Sequence, residues 1–172
     1  MKHLFIAVFI LTLINKTFGQ HQVKIQESAL LCATAYKTND YTTIIKFTYP
    51  KLIEFMGGSD SFISIIKESI NDLNKKGIQI DKVGVGKPGE EYQAGNEIHC
   101  LVPELLKLKV KGGFLLSQSF LLAVSANKGD SWFFVDIGNL PPERLKELFP
   151  DFNSNLIIPA PTKPIMYKDS VK

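Results

Sequence analysis

The polar and apolar positions of this 172-residue chain follow three regimes. A basic start (Lys2, His3) leads into an apolar run from Leu4 to Ile14. A short polar step and Thr17-Phe18-Gly19 follow, with small residues at the third-last and last of these positions. That run is too short to span a bilayer and has the form of a cleavable secretory leader, so the mature chain is expected to begin near Gln20, outside the cytoplasm. From Val23 to Tyr36 apolar residues recur at three- and four-residue steps (Ile25, Ala29, Cys32, Tyr36), the stripe of an amphipathic helix. Thr38-Asn39-Asp40 interrupts it and supplies an N-cap for a second helix carrying Tyr41, Ile44 and Ile45. Pro50 suits the first turn of a third helix, bearing Leu52, Ile53, Phe55 and Met56. Gly57-Gly58 ends that piece, and Ser59 or Asp60 is expected to cap a longer helix. Its buried face would be Phe62, Ile63, Ile66, Ile70 and Leu73, with Gly77 as the residue beyond its end.

After Gly77 the period changes to two. Ile78 to Val83 reads as a strand, Gly86 to Gly89 as a turn, and a short strand is expected near Tyr92 before the turn at Ala94-Gly95-Asn96. Glu97 to Val102 and Leu105 to Val110 form one long segment, expected to bend or bulge at Pro103, which has no N–H for a ladder. Lys111-Gly112-Gly113 predicts a hairpin, Phe114 to Ser125 a central strand, and Trp132 to Ile137 a closing strand. Pro141 to Phe149 is a short amphipathic helix. Residues 153–172, with Pro159, Pro161 and Pro164, are expected to form an extended arm with a frayed end. Helices first and an antiparallel meander second predict an α+β class, in one domain over residues 20–152.

Composition narrows the function classes. Loss of the leader would leave about 153 residues, enough for one substantial core. The 20 basic side chains, fewer Lys2 and Lys16, leave 18 against 17 acidic ones. That balance gives no support for a nucleic-acid partner. No later run is long enough for stable membrane insertion. Cys32 and Cys100 could pair in an oxidising compartment, closing a loop of 67 residues and stabilising by up to ~4 kcal/mol; the alternative is two buried small hydrophobes. Cys32 lies too far past the leader to be a lipoprotein cysteine.

Four stretches carry a resemblance: Phe47-Thr48-Tyr49-Pro50-Lys51-Leu52-Ile53-Glu54, Met56-Gly57-Gly58, His99-Cys100-Leu101-Val102-Pro103 and Phe149-Pro150-Asp151-Phe152-Asn153. Together with the element order, they resemble an uncharacterised group of exported bacterial proteins within the nuclear transport factor 2-like (cystatin-like) superfamily, over roughly Gln22 to Asn153. The resemblance implies helices packed on a curved antiparallel sheet, enclosing a cone-shaped pocket. Relatives use that pocket for small ligands, catalysis or partner proteins, and the fold does not choose among these. The pocket candidates are Tyr36, Tyr49, Phe55, Phe120, Trp132 and Phe134.

Several motifs weigh against specific chemistry. Gly84-Val85-Gly86-Lys87-Pro88-Gly89 matches G-x-G-x-x-G, but a dinucleotide site needs the glycines to open a helix, and here another strand follows. Gly57-Gly58-Ser59-Asp60-Ser61 lacks the last glycine of a nucleophile elbow. Only His21 and His99 would survive leader removal, and His21 would sit at the new terminus. Any histidine base or zinc site would therefore rest on His99; no metal or cofactor site is expected. If Ile98 and Cys100 pack under the helices, His99 looks outward into solvent; if the sheet is turned over, it enters the pocket. Cys100 and His99 cannot act as a pair, because neighbours on a strand point apart.

Asp136 alternates with Trp132 and Phe134 and could serve as a general base beside Tyr36 or Tyr49, or could order the turn that follows. Glu54 and Glu104 have no visible partner. The aromatic inventory reads as core rather than a stacking platform for bases. The leading expectation is an exported, non-catalytic binding domain, taking a small apolar ligand in the cone or a protein on the sheet. The competing one is an isomerase, dehydratase or hydrolase built on Asp136 or His99 with a tyrosine. A homodimer packed sheet to sheet is the third.

Overall fold

In the computed structural model the backbone is described for residues 2–138 and 140–169, and side chains from Gly19 onward within those limits. The leader expected over residues 1–19 lies, apart from Gly19, outside the residues whose side chains are described. Five helices, α1 (Lys2–Thr38), α2 (Tyr41–Phe47), α3 (Pro50–Phe55), α4 (Ser59–Lys75) and α5 (Pro142–Leu148), accompany six strands. These are β1 (Gln79–Val85), β2 (Glu91–Ala94), β3 (Glu97–Val110), β4 (Gly113–Ser125), β5 (Phe133–Asp136) and β6 (Ile165–Lys168). The chain is α+β, with the long helices on one face of a curved antiparallel sheet.

Local chemistry sets the helix limits. Asp40 caps α2 by accepting from the Thr43 N–H at 3.1 Å and the Thr43 hydroxyl at 2.6 Å. Pro50 opens α3. α4 differs from expectation at its start: its N-cap is Gly58, at φ 91°, with no side-chain cap bond. A Cβ-bearing residue rarely adopts that angle, which is why glycine stands there. At the other end Gly77 (φ 72°) carries the chain out, and the Ile78 N–H donates to the Leu73 carbonyl at 2.9 Å.

β3 and β4 are the sheet's spine, paired from Ile98↔Ser125 to Val110↔Gly113 without a slip in register. β1 and β2 lie end to end along the outer side of β3; β5 and β6 lie end to end along the outer side of β4. The bulge expected at Pro103 is absent. The Pro103 carbonyl accepts from the Gly86 N–H at 2.8 Å, so its missing N–H faces the β1–β2 connection, where no ladder bond is needed. The slip in register instead falls in β1, between Ile80 and Lys82. Trp132 precedes β5 rather than opening it, and the glycine-bearing 84–89 stretch joins two strands.

Each strand contributes alternate residues to opposite faces. On the inner face Ile98, Cys100, Val102, Leu121, Ala123 and Phe134 pack with Trp132 against Ile25, Ala29 and Cys32 of α1. On the back face Leu122, Val124, Val135 and Ile137 pack with Tyr49, Leu148, Phe149 and Leu156. Part of the segment after Asn153 is tied to the domain, and the frayed end expected for it lies in part outside the described residues. Leu156 is buried in the back-face core, residues 159–164 belong to no helix or strand, and β6 pairs with the first half of β4.

Candidate functional site

Between the helices and the inner face lies a cavity of 320 Å³. α1 supplies Cys32, Ala33 and Tyr36, and Thr48 follows α2. α4 supplies Phe62 and Ile66; Glu104, Leu106, Leu121, Phe134 and Asp136 come from β3, β4 and β5. Small residues border it: Cys32 and Ala33 of α1 line it, and Ser119 of β4 stands opposite Glu104. The walls are apolar apart from Tyr36, Thr48, Glu104 and Asp136, and among the described residues no lysine, arginine or histidine lines them.

Glu104 is the unexpected member. It is 8% exposed, and its Oε2 accepts from the Ser119 hydroxyl at 2.8 Å. Burial pushes its carboxyl above the ordinary range; the Ser119 bond opposes this, and the nearby Asp136 charge adds to it. The same burial raises the Tyr36 phenol, and drives the Cys32 thiol up to about 12 with a further contribution from Glu104. Parity along β3 carries the signal that sequence reasoning missed. Ile98, Cys100 and Val102 face α1, and an unbroken strand puts Glu104 on that face two residues on. Treating Pro103 as a bend discarded that parity.

The pocket candidates divide. Tyr36 and Phe134 line the cavity. Trp132 lies in the inner core without lining it; its ring meets His21 edge-on at 6.0 Å. Phe55 is largely exposed beneath the Arg144 guanidinium, and Phe120 belongs to the back face. Tyr49 also leaves the inner side. The backbone crosses the sheet edge where Thr48 bridges Phe134, and the Tyr49 N–H donates to the Phe134 carbonyl at 3.2 Å. Asp136 orders the turn, its Oδ1 accepting from the Gly138 N–H at 3.0 Å, and it also lines the cavity. Glu54 is exposed.

His99 is on the back face, since Ile98 and Cys100 do pack under the helices. It is not solvated, however: it is 1% exposed beneath Phe149 and Phe152, at ring distances of 5.2 and 5.7 Å. Its Nε2 lies 3.2 Å from Glu97 Oε2, and Tyr49 donates to Glu97 Oε1 at 2.7 Å, with Lys51 3.7 Å from the same oxygen. Nδ1 has no partner among the described residues. Burial holds the imidazole below its ordinary pKa, against the pull of Glu97. The stretches 47–54, 99–103 and 149–153 thus meet here, beside a 140 Å³ hollow lined by Lys51, Glu97, His99 and Asp151. His99 and Asp136 lie on opposite faces and do not share a cavity. His21, expected at a free terminus, is half-buried with its Nδ1 3.0 Å from Glu91.

Cys32 and Cys100 are both free and buried, so of the two alternatives weighed for them the pairing is not formed and they stand as buried small residues. Among the described residues no cluster of three or more His, Cys, Asp or Glu is placed to hold a metal ion, and no helix is long and apolar enough to cross a membrane. No protein-family model, curated protein or solved structure matches the chain.

Proposed function

We propose that this chain is an exported, non-catalytic binding domain of the nuclear transport factor 2-like kind, holding a small and largely apolar ligand in the inner cavity. The observation that carries this reading is the cavity itself. Its 320 Å³ falls in the lower part of the range of ordinary ligand sites, about 300–1,000 Å³, and its walls are mostly aliphatic and aromatic with a few polar groups at one end. Export rests on the basic start, the short apolar run and the small residues at positions 17 and 19. Titration with the neutral fluorophore 1-aminoanthracene tests the reading. Saturable one-to-one binding is expected, and Ala33→Leu, which fills the cavity from α1, should abolish it with the circular dichroism spectrum preserved. Absence of saturable binding to the folded protein would reject the small-ligand reading.

One observation favours an enzyme as the second reading: Tyr36 and Asp136 share the cavity wall, as an isomerase, dehydratase or hydrolase with a carboxylate base would require. Asp136→Asn then abolishes turnover of a bound substrate without weakening the fluorophore. Equal turnover in wild type and variant removes Asp136 from such a scheme.

A further inference from the structure

We propose that the polar end of this cavity recognises a neutral oxygen acceptor (a ketone, ester or ether on an apolar body), with the Glu104 carboxyl as hydrogen-bond donor and the Asp136 carboxylate as the charge that turns anionic ligands away. The proposal rests on the small-ligand reading above.

Glu104 sits on a wall that contains no cationic side chain. Its neighbours from the packed elements are the Cys32 thiol and Tyr36 phenol of α1, the Ser119 hydroxyl of β4 and the Asp136 carboxylate of β5. An unpaired buried carboxylate costs several kcal/mol in such surroundings, and a second carboxylate nearby adds repulsion. Taking up a proton removes both costs. The two oxygens then differ in what they can do. Oε2 accepts from Ser119 at 2.8 Å. Oε1 has no hydrogen-bond partner among the described residues, and Glu104 lines the hollow. A proton on Oε1 is therefore free to be donated to an occupant of the cavity, and its complement is an uncharged oxygen.

Asp136 stands two strands away across β4, at the exposed end of the same wall. It lies close to the Ser119 corner: a Cβ built on Gly138 would sit 3.3 Å from Asp136 Oδ1 and 3.5 Å from the Ser119 Cβ. A ligand carboxylate at Glu104 would thus meet a fixed negative charge with no counterion. The site selects by polarity as well as by size.

Four naphthalenes with one common body test the proposal by displacement of 1-aminoanthracene near pH 6: 2-acetylnaphthalene, 2-ethylnaphthalene, 2-naphthoate and 2-naphthylmethylammonium. The ketone should bind about fivefold to tenfold more tightly than the hydrocarbon, as one buried hydrogen bond supplies, and naphthoate should bind most weakly. Glu104→Gln keeps the preference, since its amide N–H donates; Glu104→Leu erases it while hydrocarbon binding persists. Asp136→Asn retains the turn and should tighten naphthoate severalfold. A ketone bound no better than the hydrocarbon overturns the proposal alone, as does an ammonium preference that Glu104→Gln removes and Asp136→Asn leaves intact, because that places an ionised Glu104 in the site. Failure of every probe, the fluorophore included, overturns the small-ligand reading and this proposal together.

Discussion

The two faces of the sheet are built from the same strands and differ in what covers them. Inner residues of β3 and β4 meet α1 across small side chains and leave a hollow next to Glu104. Back-face residues one position away meet Phe149, Phe152 and Leu156, supplied by the chain's last third, around a buried histidine. Alternation along a strand thus separates two jobs at a spacing of one residue. The back face carries close packing, and the inner face gives up packing for space. Among the described residues each face also buries one carboxyl or imidazole without a neutralising counterion of its own: Glu104 inside, and His99 behind, whose partner Glu97 is shared with Tyr49 and Lys51.

The largest effect that can break this comparison comes from Phe149, 2% exposed and stacked 5.0 Å from Tyr49. Phe149→Ala should cost about 3–5 kcal/mol in urea denaturation, the usual cost of an aromatic deletion in a filled core. Ile66→Ala on the cavity wall, where packing is already incomplete, should cost less than half of that. Similar losses at the two sites would mean that the faces are equally packed.

Truncation gives the next effect. Ending the chain after Phe152 removes Leu156 and Ile158 from the back face and should cost about 2 kcal/mol or more, read as a lowered melting temperature. Ending it after Pro164 removes only β6, whose four residues are all exposed, and should cost about 1 kcal/mol or less. Equal losses would show that pairing of β6, and not apolar burial, ties the segment down.

The buried groups should give the two faces opposite pH responses. Burial lowers the folded pKa of His99, so its share of stability is present above the unfolded value near 6.5 and is lost as pH falls through the folded value. Burial raises that of Glu104, so its share is present below the unfolded value near 4.5 and is lost as pH rises through the folded value. Urea midpoints of His99→Gln measured against wild type should gain on it toward acid, and those of Glu104→Gln should gain toward alkali. Parallel curves for both variants would contradict the burial argument.

The smallest effect is chemical. Burial pushes both thiols up to about 12, so Cys32 and Cys100 should ignore a disulfide reagent at pH 8 in the native state, and two thiols should titrate after denaturation. Rapid native labelling of either would show that the cavity or the sheet opens readily.

Much of this organisation was legible in periodicity. Ile25, Ala29, Cys32 and Tyr36 named the buried stripe of α1, Asp40 and Gly77 marked helix limits, and the period of two after Gly77 gave the sheet. What stayed hidden depended on where the chain crosses between faces. Tyr49 and Phe134 are both aromatic and near helices or strands in sequence, yet the bridge at Thr48 sends Tyr49 to the back. Leu156 lies in a proline-bearing stretch whose local pattern contains no sign of the core awaiting it. Glu104 was obscured by its neighbour: Pro103 was taken to interrupt the strand, although its missing donor faces a gap in the ladder. For His99, local alternation identified its companions correctly, but burial came from Phe149 and Phe152, fifty residues away.

The central claim is that the hollow face, and not the filled one, is where a ligand sits. An amide chemical-shift titration with 2-acetylnaphthalene reports on both faces at once. The account predicts saturable shifts concentrated at Ala33, Tyr36, Glu104, Leu106 and Phe134, with His99, Phe149 and Leu156 unmoved. Shifts centred on His99 and Phe149 would place the site behind the sheet and contradict it.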